Sequence, residues 1–229
     1  MSEKKNAQNE EFKIENVEHA LNEAEFFIEK NQKPLLIGLG VVVLLVCLIL
    51  GTRHFYFVPK AEKANVALFK GEQYFAQDSF ALALNGDGKD FIGFLNVIDE
   101  FGGTDAGNLA KAYAGICYHK LGNNEEAVSL LKGFSGDDDF VAPAILVAIG
   151  DCFADMEKYD DAVSYFEKAA KSNNNIVSPI ALKKAGLTYE AMKKYDKALK
   201  MYTLIQENFQ NTVEGYEVEK YIERAKTLK

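Results

Sequence analysis

Three segments between residues 108 and 206 repeat one another at a nearly fixed period. When they are aligned on Gly115, Gly150 and Gly186, the separations are 35 and 36 residues. A period in this range is typical of stacked helical hairpins, in which no hairpin buries its apolar face without a neighbour. The segments are NLAKAYAGICYHKLGNNEEAVSLLKGF (108–134), PAILVAIGDCFADMEKYDDAVSYFEKAA (143–170) and PIALKKAGLTYEAMKKYDKALKMYTLIQ (179–206). We therefore predict an all-α array.

Residue types recur at matched places within the three segments. An aromatic residue follows each glycine by three positions, an alanine follows it by twelve, and a bulky residue follows it by sixteen. Small residues are needed where the two helices of a hairpin approach closely, and the bulky residues fill the adjacent space. These residues are Tyr118, Phe153 and Tyr189, then Ala127, Ala162 and Ala198, then Leu131, Phe166 and Tyr202.

Glycine, aromatic residue and alanine at these spacings resemble the tetratricopeptide repeat. The leading Trp that is usual in this family is absent, and Lys111, Leu146 and Leu182 stand in its place. The resemblance implies a superhelix built from helical hairpins. It divides the body of the chain into a degenerate first hairpin (60–107), three repeats (108–214) and a C-terminal capping helix (215–229). Within the first hairpin we predict helices over 61–80 and 90–101, joined by LALNGDG.

Tetratricopeptide arrays usually bind extended peptides along the surface formed by the first helix of each hairpin. Members that grip a C-terminal carboxylate carry Lys, Asn or Arg at several of these places, whereas only Lys184 keeps the expected type here. A largely apolar groove suits a hydrophobic segment or a partner's helix, and cover by the protein's own termini is the alternative. The candidate groove residues are Leu109, Ala112, Ile116, His119, Ala144, Val147, Asp151, Ile180, Lys183, Leu187 and Glu190.

The stretch KPLLIGLGVVVLLVCLILGTRHFYF (33–57) holds 18 uncharged residues from Leu35 to Thr52. As a helix it would extend about 27 Å, close to the thickness of a bilayer core of about 30 Å. A cleaved signal peptide has a short basic leader, but this leader has 33 residues and eight Glu. A soluble core helix would show polar residues on one face, and this stretch has no such face. We therefore predict a single N-terminal transmembrane helix with an aromatic interface, over 34–57, that remains in the chain.

The leader over 1–33 is predicted to be an acidic amphipathic helix with a narrow apolar stripe. The stripe comprises Ile14, Val17, Leu21, Ala24 and Ile28, and the opposite face is rich in Glu. Such a helix is either a docking element or a solvated helix of marginal stability. Cations flank the apolar run on both sides, so charge alone leaves the orientation of the span open.

An anchored span with an acidic leader and a C-terminal repeat domain resembles the YfgM-like family of bacterial inner-membrane proteins. The phrases DSFALALNGDG, FGGTDAGNLAKAYAGICY and VEHALNEAEFFIEKNQK resemble its Bacteroidetes-type version. The resemblance implies a cytoplasmic N-terminus and periplasmic repeats. It also implies protein partners, namely translocon subunits, periplasmic chaperones or exported chains. The function expected is a membrane-tethered protein-binding module, and the alternative is a scaffold in another envelope complex such as outer-membrane assembly or division.

Other functions have little support in the sequence. The net charge of −8 disfavours nucleic acid as a partner. We find no nucleophile elbow, phosphate loop or metal-spaced cluster, so we expect no enzyme and no cofactor. The loop that begins at Asn85 lacks the Gly that a calcium loop has at its sixth place, and its twelfth residue is Asn96 instead of Glu. Asp137, Asp138 and Asp139 are expected to cap the helix that follows. Cys117 and Cys152, at equivalent repeat positions, are expected to stay free as buried thiols; the oligomeric state is left open.

Overall fold

The computed structural model describes residues 25–172 and 174–229, and the part of the leader at 1–24 lies outside them. The chain divides into two compact units, with the boundary between Pro59 and Lys60. All regular elements in the described residues are helical. After a helical turn at 25–30, they are α1 (Gln32–Thr52), a π-helical turn (Arg53–Phe57), α2 (Val58–Ala76), α3 (Phe80–Asn85), α4 (Phe94–Phe101), α5 (Asp105–Lys120), α6 (Asn124–Gly133), α7 (Val141–Asp155), α8 (Tyr159–Ala170), α9 (Val177–Ala191), α10 (Tyr195–Asn208) and α11 (Val213–Leu228).

Helix α1 carries the predicted span. None of its residues is buried, and it lies in a helical stretch that is long and apolar enough to cross a membrane. The π-helical turn follows at once, and the N–H of Val58 donates to the carbonyl of Arg53, five residues back. Pro59 has no N–H, and its ring would clash with a carbonyl four residues earlier in a regular helix. The wider turn displaces that carbonyl, which explains the π-helical geometry here.

The three repeats pack as the residue pattern predicts. A Cβ atom built on Gly115 would lie 2.6 Å from Cγ of Leu131, and one built on Gly150 would lie 2.5 Å from the ring of Phe166. The matching alanines are fully buried, at 0% exposure for Ala127. The glycines therefore let the first and second helix of each hairpin approach more closely than any side chain would allow.

The first hairpin differs from its predicted boundaries. The first helix ends at Ala76 instead of residue 80, because Asp78 adopts a left-handed backbone with φ of 55°. Part of the predicted connection is helical, as α3, and the second helix begins at Phe94 instead of residue 90. A Cβ on Gly71 would lie 2.6 Å from Cζ of Phe94, so this hairpin has the same glycine contact as the later repeats.

Helix α11 occupies the place of another first helix at the C-terminal end. It packs along α10 and makes a smaller contact with α9, as α9 does with α8 and α7. It begins at Val213, two residues before the predicted start. Its outward positions Glu219, Glu223 and Lys226 are exposed and charged, which suits the last helix of an array.

Candidate functional site

The candidate groove residues differ in exposure. Ala112 and Val147 are buried, at 4% and 9% exposure, and pack in the core beneath the surface. Leu187 is exposed at 38%. The remaining candidates are half-buried, namely Leu109, Ile116, His119, Ala144, Asp151, Ile180, Lys183 and Glu190. The side chains that a partner can reach on these first helices are therefore fewer than the repeat pattern predicts.

Ion pairs bridge successive first helices across this surface. Lys184 Nζ of α9 lies 2.8 Å from Asp151 Oδ1 of α7, and Lys183 Nζ lies 3.1 Å from Glu214 Oε1 of α11. The side chains of both pairs are partly buried, so solvent screens the attraction between their charges only in part. Each pair joins residues 31 or 33 positions apart. The pairs therefore hold the register between neighbouring repeats.

A histidine forms the matching link between the first two repeats. The Nδ1 atom of His119 lies 2.9 Å from Asn124 Oδ1, at the start of α6, and 3.7 Å from Asp155 Oδ2 of α7. His119 thus has polar neighbours on both the second helix of its own hairpin and the first helix of the next.

Glu190 joins the last three helices. Its Oε1 accepts a hydrogen bond of 2.9 Å from the Tyr202 hydroxyl of α10, and its Oε2 lies 2.8 Å from Arg224 Nη2 of α11. Burial of Tyr202 and its bond to the Glu190 carboxylate raise the pKa of the phenol. The ring of Tyr221 stacks on Tyr202 at 5.4 Å. This cluster attaches α11 to the array.

The charged side chains of this surface already pair with one another. Lys184, the one residue kept from the carboxylate clamp, already has Asp151 as its partner. Ile116, which is half-buried, and Leu187, which is exposed, offer apolar contact surface on α5 and α9. Among residues 25–172 and 174–229, no group of three or more His, Cys, Asp or Glu side chains is placed to hold a metal ion.

The two repeat cysteines are free and fully buried. Burial raises the pKa of each thiol to about 12, with a further contribution from Asp151 and Asp155 at Cys152. They lie in different core clusters, Cys117 with Ala114 and Cys152 with Ile149. A neutral thiol in such surroundings behaves as a small apolar side chain.

Helix-capping residues recur along the edge where second helices turn into first helices. The carboxylate of Asp138 accepts from the N–H groups of Phe140, Val141 and Ala142, so the expected cap is confirmed for this residue of the acidic run. Asn174 does the same for α9, accepting from the N–H groups of Ile176 and Val177.

The remaining two first helices share a cap that the repeat alignment missed. Thr104 accepts from the N–H of Gly107, and Thr212 accepts from the N–H of Gly215, each at 3.1 Å. The shared pattern Phe-x-x-Thr-x-x-Gly, at 101–107 and 209–215, was available in the sequence. It places Glu214 in the first turn of α11, where it meets Lys183.

Comparison with known proteins agrees with this architecture. Residues 143–176 and 181–212 match family models described as tetratricopeptide repeat. The fold is similar to the crystal structure of MamA protein, with 17% identity and a TM-score of 0.54 over 73% of this chain and 88% of that one. It is also similar to two crystal structures of putative kinesin light chain TPR-like repeats from Podosopora anserina, one of them of a substituted form. Each has 12% identity and a TM-score of 0.58 over 73% of this chain and 87% of that one.

At such low sequence identities, the similarity to these structures concerns the fold alone. Among curated proteins, no sequence matches this chain. The chain contains tetratricopeptide repeats, and the unit that begins at Lys60 has a superhelical fold that is all-helical in its described residues. Its class is that of a protein–protein interaction module.

Proposed function

We propose that this protein is a membrane-tethered binding module that holds exported chains or chaperones near the secretion translocon. The surface of first helices is the binding site, with Ile116 and Leu187 as its apolar contacts. The single observation that carries the proposal is the succession of a wholly unburied apolar helix and a repeat domain. A tether raises the effective concentration of weak contacts near the membrane, so each contact need not be strong.

The groove supports a partner held by shape and apolar contact. Its charged residues are engaged in pairs between repeats, so a partner's terminal carboxylate would have to break the Lys184–Asp151 pair to bind there. A hydrophobic segment or an amphipathic helix requires no such exchange. This favours unfolded or partly folded protein chains as clients.

The placement in the bacterial inner membrane, with a cytoplasmic N-terminus and periplasmic repeats, belongs to the same proposal. It rests on the resemblance to the YfgM-like family and on the aromatic residues Phe55, Tyr56 and Phe57, which are exposed after α1. Aromatic residues at such a position are typical of a membrane interface. We also propose that the protein has no catalytic activity of its own.

Site-specific photocrosslinking tests the function. A photoreactive residue at Ile116 or Leu187 should capture translocon subunits, chaperones or newly exported chains, and capture should fall when secretion is blocked. Ser129, exposed on the second helix α6, provides the control position. Capture of one fixed partner, unchanged by a block of secretion, would instead identify a scaffold in another envelope complex.

Protease protection tests the tether and its orientation. In spheroplasts with an intact inner membrane, the repeats should be digested from outside, and carbonate washing should leave the chain in the membrane. Digestion only after the inner membrane is breached would place the repeats in the cytoplasm and refute the secretion role. Release by carbonate would refute the anchor.

A further inference from the structure

Two cavities lie at equivalent places in the second and third repeats. One, of about 280 Å³, is lined by Leu131 of α6, by Ile145 and Leu146 of α7, and by Tyr165 of α8. The other, of about 340 Å³, is lined by Ala170 of α8, Leu182 of α9, and Met201 and Leu204 of α10. In each case the walls come from one second helix, the next first helix and the following second helix.

Each cavity contains the residue that replaces the leading Trp of the repeat. Leu146 lines the first cavity and Leu182 lines the second. Leu is much smaller than Trp, so a Trp at either position would occupy part of this space. In the first repeat the long side chain of Lys111 crosses this region, and its Nζ donates to the carbonyl of Gly133 at 3.1 Å.

These cavities face away from the groove. An α-helix turns by about 100° per residue. Leu146 therefore lies about 140–160° around the axis of α7 from the groove positions Ala144 and Asp151. The cavities therefore belong to a separate surface, which we call the second-helix surface. It comprises the exposed Lys132, Lys171 and Lys200, the half-buried Leu146, and Leu182, which is buried where it lines the second cavity.

The second-helix surface is basic in an acidic protein. Lys132, Lys171 and Lys200 line the cavities and are exposed, and Lys168 lies 4.9 Å above the ring of Tyr165. The one carboxylate among the lining residues, Glu167, already accepts a 2.7 Å hydrogen bond from the Tyr189 hydroxyl. The net charge of the whole chain is −8. Asp138 lies beside Gly136 and Ala142, which line the first cavity, so the cations are in excess chiefly at the second cavity. This excess favours an acidic partner.

We propose that the second-helix surface is a docking site for an acidic amphipathic helix that places one apolar side chain in each cavity. The helices α7 and α9, which carry Leu146 and Leu182, contact each other, and the axes of packed helices lie about 8–10 Å apart. Residues i and i+7 of a helix are separated by about 10 Å along its axis and lie on the same side. Acidic residues beside that apolar pair meet the lysines. This interaction is independent of the groove and goes beyond the proposed function.

The test uses the full chain in nanodiscs and a designed 18-residue helical peptide, with Leu at positions i and i+7 and Glu beside them. The wild-type protein should bind the labelled peptide in an anisotropy titration. Leu146→Trp combined with Leu182→Trp should weaken binding at least tenfold by filling both cavities. The chain has no Trp, so blue-shifted indole emission reports whether both rings are buried.

Charge reversal provides a second variant that does not depend on repacking. Lys132→Glu with Lys200→Glu should weaken binding at least fivefold, and a peptide with Lys in place of Glu should bind the wild type equally poorly. Leu187→Glu in the groove should leave peptide binding unchanged, which separates this site from the groove.

Three results would overturn the proposal. One is the absence of binding to the wild type, and another is unchanged binding when both indoles are buried. The third is self-association of the wild type that the double Trp variant loses, because a second copy of the chain would then be the occupant.

Discussion

Gly71 packs against the ring of Phe94 in the same way that Gly186 packs against Tyr202. In both cases a Cβ atom on the glycine would lie 2.6 Å from Cζ of the ring. Phe94 follows Gly71 by 23 residues, whereas Leu131 follows Gly115 by 16, so the first hairpin is a repeat expanded by seven residues. The short helix α3 and the loop that follows it make up this expansion. The described part of the array therefore has four glycine-centred hairpins.

Replacement of Gly71 by Ala tests this packing. Phe94 is fully buried, and Phe91 lies on the same side, so the added methyl group has no free space. We expect Gly71→Ala to lower the free energy of unfolding by about 1–3 kcal/mol, as overpacked cores usually do. Urea unfolding followed by circular dichroism provides the measurement.

Gly133→Ala is the matched control. Its added methyl group would lie 3.6 Å from Cδ of Lys111, an ordinary contact, and Ala is the better helix former by about 1 kcal/mol. We expect no loss of stability at Gly133. Equal destabilisation by both substitutions would contradict the assignment of Gly71 as a repeat glycine.

The Lys184–Asp151 pair should couple the second and third repeats energetically. Its side chains are 35% and 27% exposed, so a double-mutant cycle with Lys184→Met and Asp151→Asn should give about 0.5–1 kcal/mol. Lys194 and Asp160 form a comparison pair at 3.1 Å between the same repeats, but they are 41% and 88% exposed. That pair should couple by less than about 0.3 kcal/mol. A coupling no larger for Lys184–Asp151 would contradict its role as a bridge.

The buried thiols should resist modification over a wide range of pH. With Cys47→Ser, the folded protein should not react with a thiol reagent at pH 7 or at a pH of about 9.5, because burial raises the pKa of both remaining thiols to about 12. After denaturation, two thiols per chain should react with the reagent. Fast reaction of the folded protein at the higher pH would show that one of the two sites is open to solvent.

The same pKa values set the direction of a stability change. A thiol in the unfolded chain has a pKa near 9.0, and burial raises the pKa of its folded counterpart to about 12. The contribution of each buried thiol to the free energy of unfolding is therefore fully present below about pH 9, and it is lost as the pH rises to about 12. Cys117→Ala should reduce this alkaline loss in a thermal unfolding series.

Asp87 organises the expanded loop of the first hairpin. Its carboxylate accepts from the N–H of Phe91 at 3.0 Å, the hydroxyl of Tyr74 at 2.7 Å and the N–H of Lys89 at 2.9 Å. These bonds, the one from Phe91 foremost, hold the pKa of Asp87 well below its usual range. The ionised Asp87 therefore stabilises the loop at pH values above about 3.9, the ordinary pKa of a carboxyl group. This stabilisation is lost as the pH falls from there toward the lowered pKa of Asp87.

Nuclear magnetic resonance titration of the Asp87 carboxyl carbon measures this effect. The midpoint should lie well below about 3.9 in the wild type. Tyr74→Phe removes one of the three hydrogen bonds and should raise the midpoint, while the backbone bonds keep it below the ordinary value. A wild-type midpoint at the ordinary value would show that the loop does not form as described.

The amino-acid sequence by itself determined the repeats and the apolar helix. A glycine, an aromatic residue and an alanine recur at the period of a helical hairpin, and 18 uncharged residues fit only a long apolar helix. These are local patterns, since helix periodicity and the size of one side chain decide which residues meet within a hairpin. Such patterns can be read without knowing the neighbours of each hairpin.

Only the tertiary structure decided which groove residues a partner can reach. Ala112, Val147 and Lys183 occupy the same position in the three repeats. Ala112 and Val147 are buried, whereas Lys183 forms an ion pair with Glu214. The cavities beside Leu146 and Leu182 likewise depend on three helices from two hairpins. Exposure, pairing and empty space depend on how neighbouring hairpins are inclined to one another. That inclination results from contacts between residues far apart in the chain, such as Lys183 and Glu214, which no local period records.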